Sequence, residues 1–151
     1  MGQFFKGNQI LGRKGTIGCV SLEITQRCNL DCSLCYLSES SALVTDMPIE
    51  ELYRRLDEII NIYGPGTNVQ ISGGDPTLRD RGELLAIVRY ARKIGLHPAL
   101  FTNGKKCSRE LLEELSEAGL SDVAFHVDLT QNLKGYETEA DLNKLRSELI
   151  E

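Results

Sequence analysis

Apolar positions along this chain alternate between two spacings, one suited to strands and one to helices. Thr16 to Thr25 is a β-rich stretch and predicts a first strand. From Pro48 to Tyr63, the residues Ile49, Leu52, Leu56, Ile59 and Ile60 fall on one face at helical spacing. Pro48 suits the first turn of that helix, Asp46 is placed to cap it, and Gly64-Pro65-Gly66 stops it. Asn68 to Ser72 predicts a second strand. Arg81 to Ile94 predicts a second helix with Leu84, Leu85, Val88 and Ala91 as its buried stripe and Gly95 as its C-cap. His97 to Thr102 predicts a third strand. Ser108 caps a third helix carrying Leu111, Leu112 and Leu115, closed by Gly119. Asp122 to Leu129 predicts a fourth strand. Thr138, with Asp141 three residues on, forms a capping box for a last helix through Leu142, Leu145 and Leu149.

Four consecutive βα units imply an α/β fold with a parallel sheet. Right-handed crossovers curl such units towards a barrel or an open wound sheet. Four units do not close a barrel, and the fourth strand leaves an unpaired edge. The sequence therefore reads as a fragment, or as a chain completed by a partner.

Composition narrows the class. The chain has 151 residues, enough for one domain with its own core. A formal net charge of -5 argues against a nucleic-acid surface, which usually shows as a basic excess. No apolar run approaches the roughly 18 residues of a membrane helix, and the N-terminus lacks the apolar core of a secretory signal. Both absences point to the cytoplasm. The five cysteines are an odd number, and three crowd into eight positions, which suits metal binding better than a disulfide framework.

In parallel βα architectures, chemistry gathers at the C-terminal ends of the strands. Here strand one ends at the cysteines and strand two in Ser72-Gly73-Gly74-Asp75-Pro76. Strand three ends in Thr102-Asn103-Gly104 and strand four near His126-Val127-Asp128. All four clusters converge on one rim. Cys28, Cys32 and Cys35 form CxxxCxxC, and thiolates are soft ligands for iron–sulfur clusters, zinc or copper(I). Three thiolates can hold three irons of a cubane and leave the fourth open, whereas an electron carrier normally ligates all four. The alternative is a Cys3His zinc site with His97 or His126 as fourth ligand. Cys19, within strand one, reads as a small buried hydrophobe. Asp128 and His126 are read equally as structural or substrate-facing groups.

The stretch from Ile24 through Cys28, Cys32 and Cys35 to Tyr36 resembles the signature of the radical S-adenosylmethionine superfamily. Ser72 to Leu78 resembles its second motif and Thr102-Asn103-Gly104 a third, in order and spacing over about residues 16 to 130. The resemblance implies the N-terminal portion of the core domain, a partial (β/α)6 barrel, with residues 1–15 as a lead-in. It implies that Cys28, Cys32 and Cys35 bind a 4Fe–4S cluster whose open iron chelates S-adenosyl-L-methionine. Gly73 and Gly74 would let the backbone approach the methionyl group, and Asp75 would sit near its ammonium. Asn103 and His126 would also contact this cofactor. One electron, from a donor such as ferredoxin or flavodoxin, would cleave the sulfonium to a 5′-deoxyadenosyl radical that takes hydrogen from a substrate. The chain departs from the family pattern at Asp75, where Glu is usual, at Leu34, where an aromatic is common, and on strand four, where a Ser is frequent. Phe125 to Gln131 resembles the branch that includes radical tetraether-lipid synthases. The rival reading is a non-catalytic module that holds a cluster or zinc without turnover.

Overall fold

Short β-forming runs, each followed by a helix, pack into a parallel sheet. The computed structural model, which describes residues 19–37 and 41–150, has that architecture. Strands β1 (Val20–Thr25), β2 (Asn68–Gly73), β3 (His97–Thr102) and β4 (Asp122–Phe125) are parallel and stand in sequence order. Helices α1 (Ile49–Tyr63), α2 (Arg81–Lys93) and α3 (Arg109–Glu117) form the crossovers, and α4 (Glu139–Ile150) follows β4. The core lies between the sheet and these helices. Leu22, Ile24, Val69, Ile71 and Leu100 from the strands meet Leu52, Leu56, Leu84, Ile87, Val88 and Leu111 from the helices. Each such side chain, once buried, contributes about 1.5–3 kcal/mol. The alternate strand positions Ser21, Glu23, Gln70 and Phe101 lie on the other face.

Local signals set most helix starts. Ser108 accepts a hydrogen bond from the Leu111 amide (3.1 Å), as its spacing implies. Thr138 and Asp141 cap each other reciprocally, at 3.1 and 3.3 Å. Asp80, which the pattern did not single out, accepts from the Glu83 amide (3.0 Å) and starts α2. Gly95 takes φ +96 just past the end of α2, the left-handed conformation of a helix-ending glycine.

Four expectations need correction or fall elsewhere. Thr16 to Gly18 and the lead-in lie outside the described residues, and β1 begins at Val20. Cys19 is exposed rather than buried, because it precedes the first paired residue of the sheet. Asp46 does not cap α1. Its carboxylate accepts from the Thr25 hydroxyl (2.6 Å) and pairs with Arg27, leaving Pro48 as an N-cap without a side-chain bond. β4 stops at Phe125 rather than Leu129, because Asp128 caps a 3-10 turn at Leu129–Gln131 and draws the chain away from β3.

Candidate metal centre and its rim

The β1–β2 ladder does not stop where the strands do. The register shifts between Glu23 and Thr25, a bulge of the kind found beside active sites. Beyond it, the Gly74 amide donates to Thr25 O (2.9 Å) and the Asp75 amide to Arg27 O (2.8 Å). The turn after β2 is thus stitched to the chain entering the cysteine loop. A Cβ on Gly73 would stand 2.0 Å from Thr25 O, and one on Gly74 would stand 2.1 Å from Arg27 O. Both glycines are therefore demanded by this backbone contact, whatever they do for a ligand.

The loop carries Cys28, Cys32 and Cys35 around a cavity of about 280 Å³, whose other walls include Gly73, Gly74, Asn103 and His126. Five of the residues singled out from sequence are thereby brought to one place with the three cysteines, all but Asp75 lining it. Cys28 and Cys32 are partly buried and Cys35 is exposed. Burial, then the neighbouring Cys28 and Cys35, pushes the Cys32 thiol above its usual range. Leu34 is 83% exposed at the mouth of the cavity. The Tyr36 hydroxyl lies 3.0 Å from Glu23 Oε1 and 3.3 Å from Gly73 O, and burial with the Glu23 bond pushes its pKa up to about 12.

Asp75 faces inward. It is fully buried, and both carboxylate oxygens are engaged by the protein. Oδ1 accepts from the Thr77 amide (3.0 Å) and hydroxyl (2.5 Å). Oδ2 accepts from the Thr102 hydroxyl (2.8 Å) and the Asn103 amide (2.9 Å). The expected contact with a ligand ammonium is not what this geometry offers, because Asp75 joins the second motif to the third. Asp75→Ala orphans the buried Thr102 hydroxyl and the part-buried Asn103 amide and is expected to lower stability by about 2–4 kcal/mol in urea unfolding. A change below about 0.5 kcal/mol would contradict this role.

Two supports were not visible in the sequence. Arg79, with a side chain only 2% exposed, donates to Ile24 O (2.5 Å) and Met47 O (2.7 Å) while paired with Glu83. It clamps the end of β1 to the segment before α1. From the other side, the Ser33 amide donates to Thr130 O (2.8 Å), so the turn after β4 holds the cysteine loop. That turn is built by Asp128, whose carboxyl the Thr130 hydroxyl holds below the usual range. His126 Nε2 lies 3.1 Å from Asp128 Oδ2, and its ring stands 5.8 Å from that of Phe101. The 125–131 stretch is thus a structural support as well as a cavity wall.

The remaining thiols stand apart. Burial, then Asp75, pushes Cys107 up to about 11, so it stays a neutral core thiol. His97 opens β3, at the rim opposite the cysteines, about 20 Å away along six strand residues, which removes it as a fourth zinc ligand. Among the described residues no three His, Cys, Asp or Glu side chains gather around one point as a preformed single-ion site would. The thiols instead ring a space large enough for a cluster.

A family model for the Radical SAM superfamily matches residues 22–142. The chain belongs to that superfamily. Its relatives include the 7,8-dihydro-6-hydroxymethylpterin dimethyltransferase of Methanocaldococcus jannaschii, 33% identical over 118 residues, covering 76% of this chain and 23% of that protein. The PqqA peptide cyclase of Rhodopseudomonas palustris is 37% identical over 108 residues, covering 69% and 27%. The fold resembles BtrN in complex with AdoMet and 2-DOIA, with TM-score 0.60, 23% identity, and coverage of 83% of this chain and 54% of that one. It also resembles anSMEcpe with bound AdoMet and Cp18Cys peptide, with TM-score 0.60, 22% identity, and coverage of 87% and 39%. The radical SAM superfamily uses a 4Fe–4S cluster and S-adenosylmethionine. The present chain spans about a quarter of the length of these curated relatives. Among the described residues no helix is long and apolar enough to cross a membrane.

Proposed function

We propose that this chain binds a 4Fe–4S cluster through Cys28, Cys32 and Cys35 and takes part in reductive cleavage of S-adenosylmethionine. The observation that carries this reading is the set of three thiols on one cavity with the Gly73-Gly74 turn, held in register by the extended β1–β2 ladder. When bound, the cluster and S-adenosylmethionine supply a one-electron cleavage to methionine and a 5′-deoxyadenosyl radical that abstracts hydrogen from a substrate. The chain's own residues do the rest. Thr25 O and Arg27 O fix the Gly73-Gly74 turn beside the thiols, and the Gly73 carbonyl, which also accepts from the Tyr36 hydroxyl, is an acceptor for the methionyl ammonium. His126, held by Asp128 through Nε2, is the cavity-wall contact for the cofactor. Asn103 lines the cavity, and buried Asp75 acts from behind it. The electron comes from a low-potential donor such as a ferredoxin or flavodoxin, in the cytoplasm.

The test is anaerobic. The chain is reconstituted with iron and sulfide, reduced, and followed by electron paramagnetic resonance as S-adenosylmethionine is added. The signal is expected to shift as the open iron gains ligands. A cluster whose signal ignores the cofactor would sink the proposal. A shift without release of 5′-deoxyadenosine would favour a binding module that needs more protein for turnover.

A further inference from the structure

Asn103 leaves β3 at the rim and is held at three points. Its backbone amide donates to buried Asp75 Oδ2 (2.9 Å). Its side-chain Oδ1 accepts from the Lys105 amide (3.0 Å), closing a local turn. Its side-chain Nδ2 then has two N–H groups and two acceptors, Asn29 Oδ1 at 2.8 Å and Cys28 Sγ at 3.8 Å. The opposite amide orientation would set oxygen against oxygen at Asn29 and leave the Lys105 amide unpaired. One orientation therefore satisfies every partner, and it aims an N–H at the sulfur of Cys28.

We infer that Asn103 is a positioning residue that sets the redox poise of the metal centre by donating a hydrogen bond to the Cys28 thiolate. The inference rests on the cluster reading above and goes beyond it. Reduction adds one negative charge to a cluster, and part of that charge falls on its thiolate sulfurs. A donor fixed against one of them stabilises the reduced form more than the oxidised form and raises the potential. Asn103 is half-buried, so water replaces this donor poorly. The Asp75 bond explains why the donor stays in place. It fixes the backbone from which the amide projects.

The experiment is a redox titration of the reconstituted chain, followed by electron paramagnetic resonance. In Asn103→Ala the ratio of reduced to oxidised cluster at a fixed potential is expected to fall about tenfold, or ~59 mV for one electron. Asn103→Asp keeps the acceptor for the Lys105 amide but turns a carboxylate oxygen towards Cys28, so its ratio falls further than that of Asn103→Ala. A residue that merely shaped the loop would change iron content without this order of potentials. Variants within twofold of wild type would overturn the inference. If either variant holds no cluster, Asn29→Asp protein labelled with side-chain 15N asparagine decides by pulsed resonance. A 15N coupling to the reduced cluster is expected, and its absence overturns the inference. A wild-type chain that assembles no cluster overturns the reading of function as well, whereas a cluster that responds to S-adenosylmethionine beside unmoved variant potentials overturns this inference alone.

Discussion

Cys32→Ala is expected to remove the iron–sulfur centre entirely, taking the reconstituted chain from about four irons to nearly none. With only three thiolates at the site, none is spare. Cys32 stands in the middle of the loop, where its carbonyl accepts from the Cys35 amide (3.1 Å) and the next residue is pinned to Thr130. No other thiol can replace it. Cys19 precedes β1, at the far end of a six-residue strand about 20 Å long. Cys107 is packed against the core as a neutral thiol. The fold itself should survive, because the Cys32 side chain belongs to the cavity and not to the core. Iron and sulfide assays, with circular dichroism as a fold control, make the measurement. Retention of more than half the iron would refute the ligand assignment.

Gly73→Ala should be the most damaging substitution to the scaffold. The new methyl group would stand 2.0 Å from Thr25 O, and Gly73 has φ +130, a conformation that alanine adopts only under strain. The carbonyl cannot simply turn aside, because it accepts the Gly74 amide at 2.9 Å. Backbone strain of about 1–3 kcal/mol, overpacking of about 1–3 and one lost hydrogen bond of about 1 together cost roughly 3–7 kcal/mol. Domains of this size are stable by about 5–15 kcal/mol, so the variant is marginal or unfolded. Its urea midpoint should fall by at least about 1 M, and cluster occupancy should fall with it. An unchanged midpoint would show that the turn can open without cost.

Gly73→Ala bears on the two ways in which the second motif could matter. One way is contact with a ligand. The other is registration of the cysteine loop against β2, and the backbone ladder through Thr25 and Arg27 makes the second a physical fact of this fold. Asp75 follows the same logic. A carboxylate after two glycines reads as a group aimed at a cation, yet here it turns back under the rim to the third motif. Asp is one methylene shorter than the usual Glu, and the bonds to Thr102 and Asn103 are made at that length.

The elements themselves were legible. Helical spacing in Leu52, Leu56 and Ile59, the Ser108 cap and the Thr138–Asp141 box are local signals, and local hydrogen bonds obey them. The misjudged elements were those where a local rule lost to a distant partner. Asp46 stands where a cap could form but is drawn 21 residues back to Thr25. The fourth strand runs on in composition to Leu129, but Asp128 competes for the backbone and ends it.

The sequence by itself determined the cysteine triplet, the order of βα units and the convergence of their ends on one rim. Those follow from spacing and from the handedness of parallel crossovers, which short-range chemistry dictates. Only the tertiary structure decided what each rim residue faces. The glycines meet Thr25 and Arg27, Asp75 meets Thr102 and Asn103, and Arg79 meets Ile24 and Met47. The physical reason is that a buried polar group must find its partner wherever packing brings one. Those partners lie between roughly 27 and 55 residues away, beyond any periodicity the chain could display.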